Sequence, residues 1–231
     1  MSRISIIIPV LNEAETIEDL LYHLIDNAAL ENIAEIIVVD GGSTDQTTTI
    51  IKNTRLNIKL ITTEKGRAKQ MNAGAKIATG TILYFLHADS FPPNRYDALI
   101  IQEYHNNNLA GCFRLRFNNN HWWLRLASWL TQFSWRACRG GDQSQFITKA
   151  LFEEIGGFNE AYTIYEDNIL INELYARKEF TVIQQEIITS ARLYERHGVW
   201  KLQYHFWTIY VKKWLGASAN DLLTYYKKHI A

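Results

Sequence analysis

The run Thr81-Ile82-Leu83-Tyr84-Phe85-Leu86-His87-Ala88-Asp89 decides how this chain folds. Six apolar or β-forming residues follow the breaker Thr79-Gly80, which is the pattern of a short buried strand. The strand ends in a histidine and a carboxylate. In open α/β sheets, ligands bind in the crevice outside the carboxyl ends of the strands. An aspartate placed there offers a hard oxygen ligand that can hold a divalent cation against a diphosphate.

Working back from that run, strands and helices alternate. Ile4-Val10, Glu35-Asp40 and Ile58-Thr62 read as three further strands. Between them, Ala14-Ala29 has helical spacing at Ile17, Leu20, Leu21, Leu24 and Ile25, Asp45-Arg55 reads as a short helix, and Lys69-Ala78 as another. A β-α-β-α order predicts a parallel sheet with helices on both faces. No internal repeat or linker breaks the chain, so one domain over residues 1–231 is expected. Its first half covers about 1–90, its second about 91–198, and an aromatic helical tail 199–231.

Composition excludes several classes. With 24 basic and 24 acidic residues the formal net charge is zero, which argues against a general nucleic-acid binder. Two cysteines without a CxxC pair, Cys112 and Cys138, argue against a disulfide framework or zinc cage and favour two buried thiols. The apolar run Ile4-Val10 is short and is followed at once by Asn12-Glu13, unlike a signal peptide. No stretch approaches the ~20 apolar residues that span a bilayer. A cytoplasmic protein is expected, with peripheral contact to the inner face of the membrane left open.

Each expected strand end carries polar residues. The first ends in Pro9-Val10-Leu11-Asn12-Glu13, the second in Asp40-Gly41-Gly42-Ser43-Thr44-Asp45, and the third leads to Gly66-Arg67-Ala68-Lys69-Gln70-Met71-Asn72. Asn12 and Glu13 either begin a helix or face a ligand, and Asp45 either caps a helix or contacts a ligand. Asp40 ends its strand directly, so its carboxylate can face the crevice and accept from a base N–H. Arg67 suits a phosphate or base contact.

Together these motifs resemble the inverting family 2 glycosyltransferases of the GT-A fold. Pro9 to Glu13 resembles the family's opening Pro-x-x-Asn-Glu. Asp40 to Asp45 resembles its Asp-Gly-Ser-x-Asp with one extra glycine, and Glu166-Asp167 its late acidic pair. Gly66 to Asn72, His87-Ala88-Asp89, Gly141-Asp142-Gln143 and Glu195-Arg196-His197-Gly198 look like a bacterial subgroup of that family. The resemblance implies a mostly parallel Rossmann-like α/β sheet, and donor contacts from Pro9, Asn12, Glu13, Asp40, Arg67, Asn72, His87, Ala88, Asp89 and Asp142. It implies Asp167 as the general base, Glu166 supporting it, and Asp89 holding Mn²⁺ or Mg²⁺ against the diphosphate. A late histidine supplies a further metal ligand in some of these enzymes, and His197 is the candidate here; a plain helix-entry histidine is the other reading. His87 stands where the family has the first Asp of Asp-x-Asp. It either ligates the metal, donates to a ribose, or makes a structural hydrogen bond.

The expected donor is a nucleoside diphosphate sugar, with uridine diphosphate favoured and guanosine diphosphate next. The acceptor is a hydroxyl compound, with a lipid-linked one in view. A nucleotidyltransferase and a non-catalytic nucleotide-sugar binder are the competing functions; the first lacks its glycine-rich loop, because Leu11-Asn12-Glu13 follows strand one.

All seven tryptophans fall in two segments. Trp122, Leu126, Trp129 and Phe133 have helical spacing, and Trp200, Trp207 and Trp214 recur every seven residues. Gly198 to Ser218 carries Lys201, Lys212 and Lys213 and no acid. Such a helix either packs on the domain, forms a homodimer contact, or lies on an anionic membrane surface.

Overall fold

The computed structural model describes residues 2–230. Met1 and Ala231, the ends of the expected span 1–231, lie outside the described residues. One eight-stranded sheet runs through the molecule, built from β1 (Ile4–Val10), β2 (Ile33–Asp40), β3 (Ile58–Thr62), β4 (Ile82–Phe85), β5 (Ser90–Phe91), β6 (Ala110–Phe117), β7 (Gln145–Thr148) and β8 (Thr181–Thr189). The spatial order is β3-β2-β1-β4-β7-β6-β8-β5.

The first four strands are parallel, as the alternation of elements predicts. Their side chains divide by the period of two. Ile4, Ile6 and Ile8 of β1, Ile36 and Val38 of β2, and Ile82 and Tyr84 of β4 enter one core. Helices α1 (Ile17–Asp26), α2 (Thr47–Asn53), α4 (Tyr96–His105) and α5 (Trp122–Leu130) cover that face with Leu20, Ile51, Ile100 and Leu124. Ile7, Ile37, Val39, Leu83 and Phe85 enter the opposite core. It is covered by α3 (Arg67–Ile77), α6 (Lys149–Ile155) and α7 (Glu166–Ala176) through Met71, Leu151, Phe152 and Leu174.

Helix α3 lies very close to the sheet because Gly74 faces β1. A Cβ at Gly74 would stand 2.5 Å from Ile7 Cγ2. The expected helix 14–29 is shorter in the structure. Its first residues form a turn in which Glu13 O accepts from Thr16 and Ile17 N–H, and its end is closed by Asn27 Nδ2 donating to His23 O.

The second half departs from simple alternation. Strand β7 runs antiparallel to both neighbours, with Phe85 opposite Gln145 and Gly111 opposite Phe146. Reversing β7 brings the loop before it to the carboxyl end of β4. The end of β8 pairs with β5, Thr189 opposite Ser90, so the residues after β8 also arrive beside Asp89. These two pairings assemble the site from both halves of the chain.

The tail forms α8 (Arg192–His197), α9 (Val199–Trp214) and α10 (Ala219–His229). Leu202, Ile209, Leu222 and Ile230 make a separate small core with Ile164. Phe133, expected on the first tryptophan helix, lies beyond its end at Leu130. There Thr131 Oγ1 bonds back to Ser128 O and accepts from Leu115 N–H. No described helix is long and apolar enough to cross a membrane.

Candidate active site

The expected site residues gather at the carboxyl edge of β1, β2 and β4. Asn12, at φ +57, takes the left-handed conformation that asparagine tolerates. Its Oδ1 accepts from Thr44 N–H at 2.8 Å, and its own N–H donates to Ser43 Oγ at 2.9 Å. The loops after β1 and β2 are thus tied to each other. Asp40 is buried and accepts from the N–H groups of Gly42 and Ser43 at 3.1 and 3.0 Å. A carboxylate has about four acceptor sites, so capacity for a ligand N–H remains. Asp45 is used as a cap, accepting from Ala14 N–H and from Thr47.

Gln70 was not singled out by the sequence, yet it shapes this edge. Its buried amide donates to Val10 O at 2.9 Å and Val39 O at 2.7 Å, closing the ends of β1 and β2. Gly41 leaves room for it, since a Cβ there would meet Gln70 Oε1 at 2.9 Å.

Two chains of charge cross the cleft. In the first, Arg192 grips Glu13 with both terminal nitrogens, at 2.7 and 2.8 Å, and lies 3.4 Å from Asp89 Oδ2. Burial pushes the Asp89 carboxyl up to about 6; Arg192 opposes this, and Asp142 and Glu13 add to it. In the second, Arg67 Nε lies 2.9 Å from Glu166 Oε1, and Arg67 Nη1 lies 3.4 Å from His87 Nε2. His87 Nδ1 in turn lies 3.7 Å from Asp142 Oδ1. Burial, with Arg67 and Arg192 nearby, lowers the His87 pKa to about 3, so the ring is neutral at neutral pH.

Glu166 and Asp167 open α7 directly after Tyr165, an aromatic residue at φ +72. Non-glycine residues are costly there and such strain clusters at functional sites. Burial raises the Asp167 carboxyl to about 7, the like charge of Glu166 adds to the shift, and Arg67 opposes it. Asp142 lies close enough to affect Asp89, and is itself affected by Asp167. The contacts Glu166–Arg67, Arg67–His87 and His87–Asp142 thus link the first turn of α7 to the carboxyl end of β4.

The loop that carries Asp142 is fastened from below. Buried Arg139 donates to Gln143 Oε1 at 3.0 Å and to Phe133 O at 2.7 Å, and Gln143 Nε2 donates to Cys138 O at 2.7 Å. Cys112 and Cys138 are both free, Cys112 buried and Cys138 half-buried. Burial pushes the Cys112 thiol up to about 11.

Two expected contacts lie outside these chains of charge. Asn72 is committed to the chain after α6: it donates to Phe158 O and Glu160 Oε1 and accepts from Phe158 N–H. His197 ends α8, and its Nε2 is buried with no hydrogen-bond partner among the described residues. Among the described residues no cluster of three His, Cys, Asp or Glu could hold a metal alone. The donor set instead fits a cation that arrives with a diphosphate. Such ions are commonly held by one or two carboxylates plus substrate oxygens. Asp89 is a half-buried carboxyl raised chiefly by desolvation, with Asp142 and Glu13 adding to the shift, and added positive charge would favour its ionised form.

Residues 5–163 match the model of glycosyl transferase family 2. The chain belongs to this family. A PGL/p-HBAD biosynthesis glycosyltransferase from Mycobacterium tuberculosis is 33% identical over 178 residues, 71% of this chain and 66% of that protein. Among solved structures, the Pyrobaculum calidifontis mannosyltransferase PcManGT, in complex with GDP-Man and Mn²⁺, superposes with a TM-score of 0.69 at 21% identity. That match covers 90% of this chain and 60% of the other. Staphylococcus aureus TarS 1–349 in complex with UDP gives a TM-score of 0.66 at 19% identity, over 82% of this chain and 60% of the other. The family 2 chain described here thus has the GT-A fold and spans roughly two thirds or less of the length of these relatives.

Proposed function

We propose that this family 2 protein transfers a sugar from a nucleoside diphosphate sugar to a hydroxyl acceptor, with inversion at the anomeric carbon. The observation that carries the reading is Asp167. It is a buried carboxyl at the first turn of α7, raised to about 7, and its neighbour Glu166 is joined through Arg67 to His87 at the carboxyl end of β4. A general base works best with a pKa near the operating pH.

Asp167 takes the proton of the acceptor hydroxyl on a carboxylate oxygen. The acceptor oxygen then bonds to the anomeric carbon opposite the diphosphate, whose bond to that carbon breaks. Glu166, paired with Arg67, keeps Asp167 high and oriented. Asn12, Asp40 and the tied loops after β1 and β2 receive the nucleoside, while Arg67 and neutral His87 line the path of the diphosphate. Arg192 lies beside Asp89 and offers it further positive charge. When bound at Asp89, with His197 as a further ligand, Mn²⁺ or Mg²⁺ supplies Lewis-acid neutralisation of the leaving diphosphate.

Relatives solved with UDP, UDP-GlcNAc and GDP-Man support a uridine or guanosine diphosphate sugar as donor, uridine first. The test is Asp167→Asn. Binding of the donor nucleotide should stay within a few-fold. Release of nucleoside diphosphate during transfer should fall by about 10²–10⁴. Undiminished turnover in the variant would remove Asp167 from the reaction.

A further inference from the structure

The two segments that hold every tryptophan hold no acid. Residues 104–141 carry five arginines, and residues 196–220 carry Arg196, Lys201, Lys212 and Lys213; neither contains Asp or Glu, although the whole chain has 24 of them. The fold brings the two segments together. Trp200 of α9 lies 5.6 Å from Trp122 and 5.3 Å from Trp123 of α5, ring to ring, and Trp123 Nε1 donates to Gln203 Oε1 at 3.1 Å.

The outward faces of these helices are apolar. On α5, Trp122, Arg125, Leu126 and Trp129 follow helical spacing and are all exposed, Trp122 to 60%. On α9, Leu202, His205 and Ile209 face the core, while Trp200, Tyr204, Trp207, Val211 and Trp214 form the opposite stripe. Trp214 is 85% exposed and Leu215 74%. A surface helix normally turns its polar residues outward. A contiguous apolar patch of this kind marks an interaction surface.

We infer that the exposed face of α5 and α9 docks on an anionic lipid bilayer. Charge selects this occupant. Arg125, Arg196 and Lys201 are exposed on or beside the stripe and make no ion pair among the described residues. The acids that flank the face are engaged: Glu195 accepts from Asn119, and Asp221 closes the cap at Ser218. A twofold contact between two copies would set like charges against each other with no acid to pair, because such an interface uses the same patch on both subunits. Tryptophan and tyrosine rings with flanking Arg and Lys suit the boundary between headgroups and acyl chains. The face also adjoins the cleft. Tyr210 of α9 meets Tyr165 edge to face at 5.3 Å, and its hydroxyl lies 3.5 Å from Asn168 Oδ1. Docking would therefore set the Asp167 side of the cleft close to the bilayer. This inference does not depend on the proposed reaction.

The test is flotation of the full chain with vesicles of phosphatidylcholine alone and of phosphatidylcholine mixed with phosphatidylglycerol. All tryptophans lie in these two segments, so intrinsic emission reports the same event. The protein should float with the mixed vesicles, shift its emission to the blue and be released by salt. Trp129→Ser with Trp214→Ser, and separately Arg125→Glu with Lys201→Glu, should each weaken partitioning by about tenfold or more. Both pairs change exposed side chains, so thermal midpoints should stay unchanged. Equal partitioning of wild type and both variants would overturn the inference. So would a wild-type dimer that the tryptophan variant loses, together with no binding to mixed vesicles.

Discussion

Arg67 Nε stands 2.9 Å from Glu166 Oε1, joining the first turn of α3 to the first turn of α7. The Arg67 side chain is 40% exposed while the Glu166 side chain is 1% exposed. Neither Glu166 oxygen has an in-line hydrogen bond, so this cation is what compensates the buried carboxylate. The same guanidinium faces His87 and moderates Asp167, so one residue ties the carboxyl end of β4 to the first turn of α7.

Replacing Arg67 should therefore cost stability and not only activity. Breaking a fully buried pair typically costs ~3–5 kcal/mol, and water reaching the exposed arginine should keep Arg67→Met near or below the lower end. Arg67→Met with Glu166→Gln should recover most of the loss. Urea titration of the single and double variants measures the coupling directly.

The pH dependence follows from Asp167. If the ionised Asp167 is the base, as proposed, the transfer rate should rise with pH through about 7 and level off above it. The stability effect has the opposite sign. A carboxyl raised from 3.8 to about 7 binds its proton more tightly in the folded state, so this group lowers stability as pH rises across that interval. Asp167→Asn should therefore be the more stable protein above about pH 7, with the difference disappearing below about pH 4. Thermal melts of both proteins across that range check the sign.

Gly74→Ala tests the packing that sets α3 on the sheet. A Cβ only 2.5 Å from Ile7 Cγ2 must displace a fully buried side chain of β1. Overpacking of this kind costs ~1–3 kcal/mol. Denaturant unfolding should show a lower midpoint with an unchanged slope.

Much of this architecture was legible in the sequence because the strands are short apolar runs ended by polar residues. β1 and β3 match their expected bounds, and Glu166-Asp167 opens a helix as an acidic pair at a helix start should. The family motifs named Asp40, Asp89 and Asp167, and these do reach one edge of the sheet. What was not legible depends on tertiary placement. The reversal of β7 has no signature in Gln145-Phe146-Ile147-Thr148, yet it brings Asp142 to His87. Arg192 looks like any surface arginine until the β5–β8 pairing lays it between Glu13 and Asp89. Gln70 lay inside a quoted motif, but only the fold reveals that it closes the ends of two strands. The tryptophan repeat was visible, whereas its outward direction was not.

The central claim is a nucleoside diphosphate site that takes its cation at Asp89. The most direct measurement is thermal stabilisation by UDP and by GDP, with and without Mn²⁺, in the wild type and in Asp89→Ala. A ligand at about 100 times its Kd stabilises the native state by about 2.7 kcal/mol. The account predicts a shift that needs Mn²⁺, is larger for one nucleotide, and is lost in Asp89→Ala. A shift of equal size in the variant, or none with either nucleotide, would contradict it.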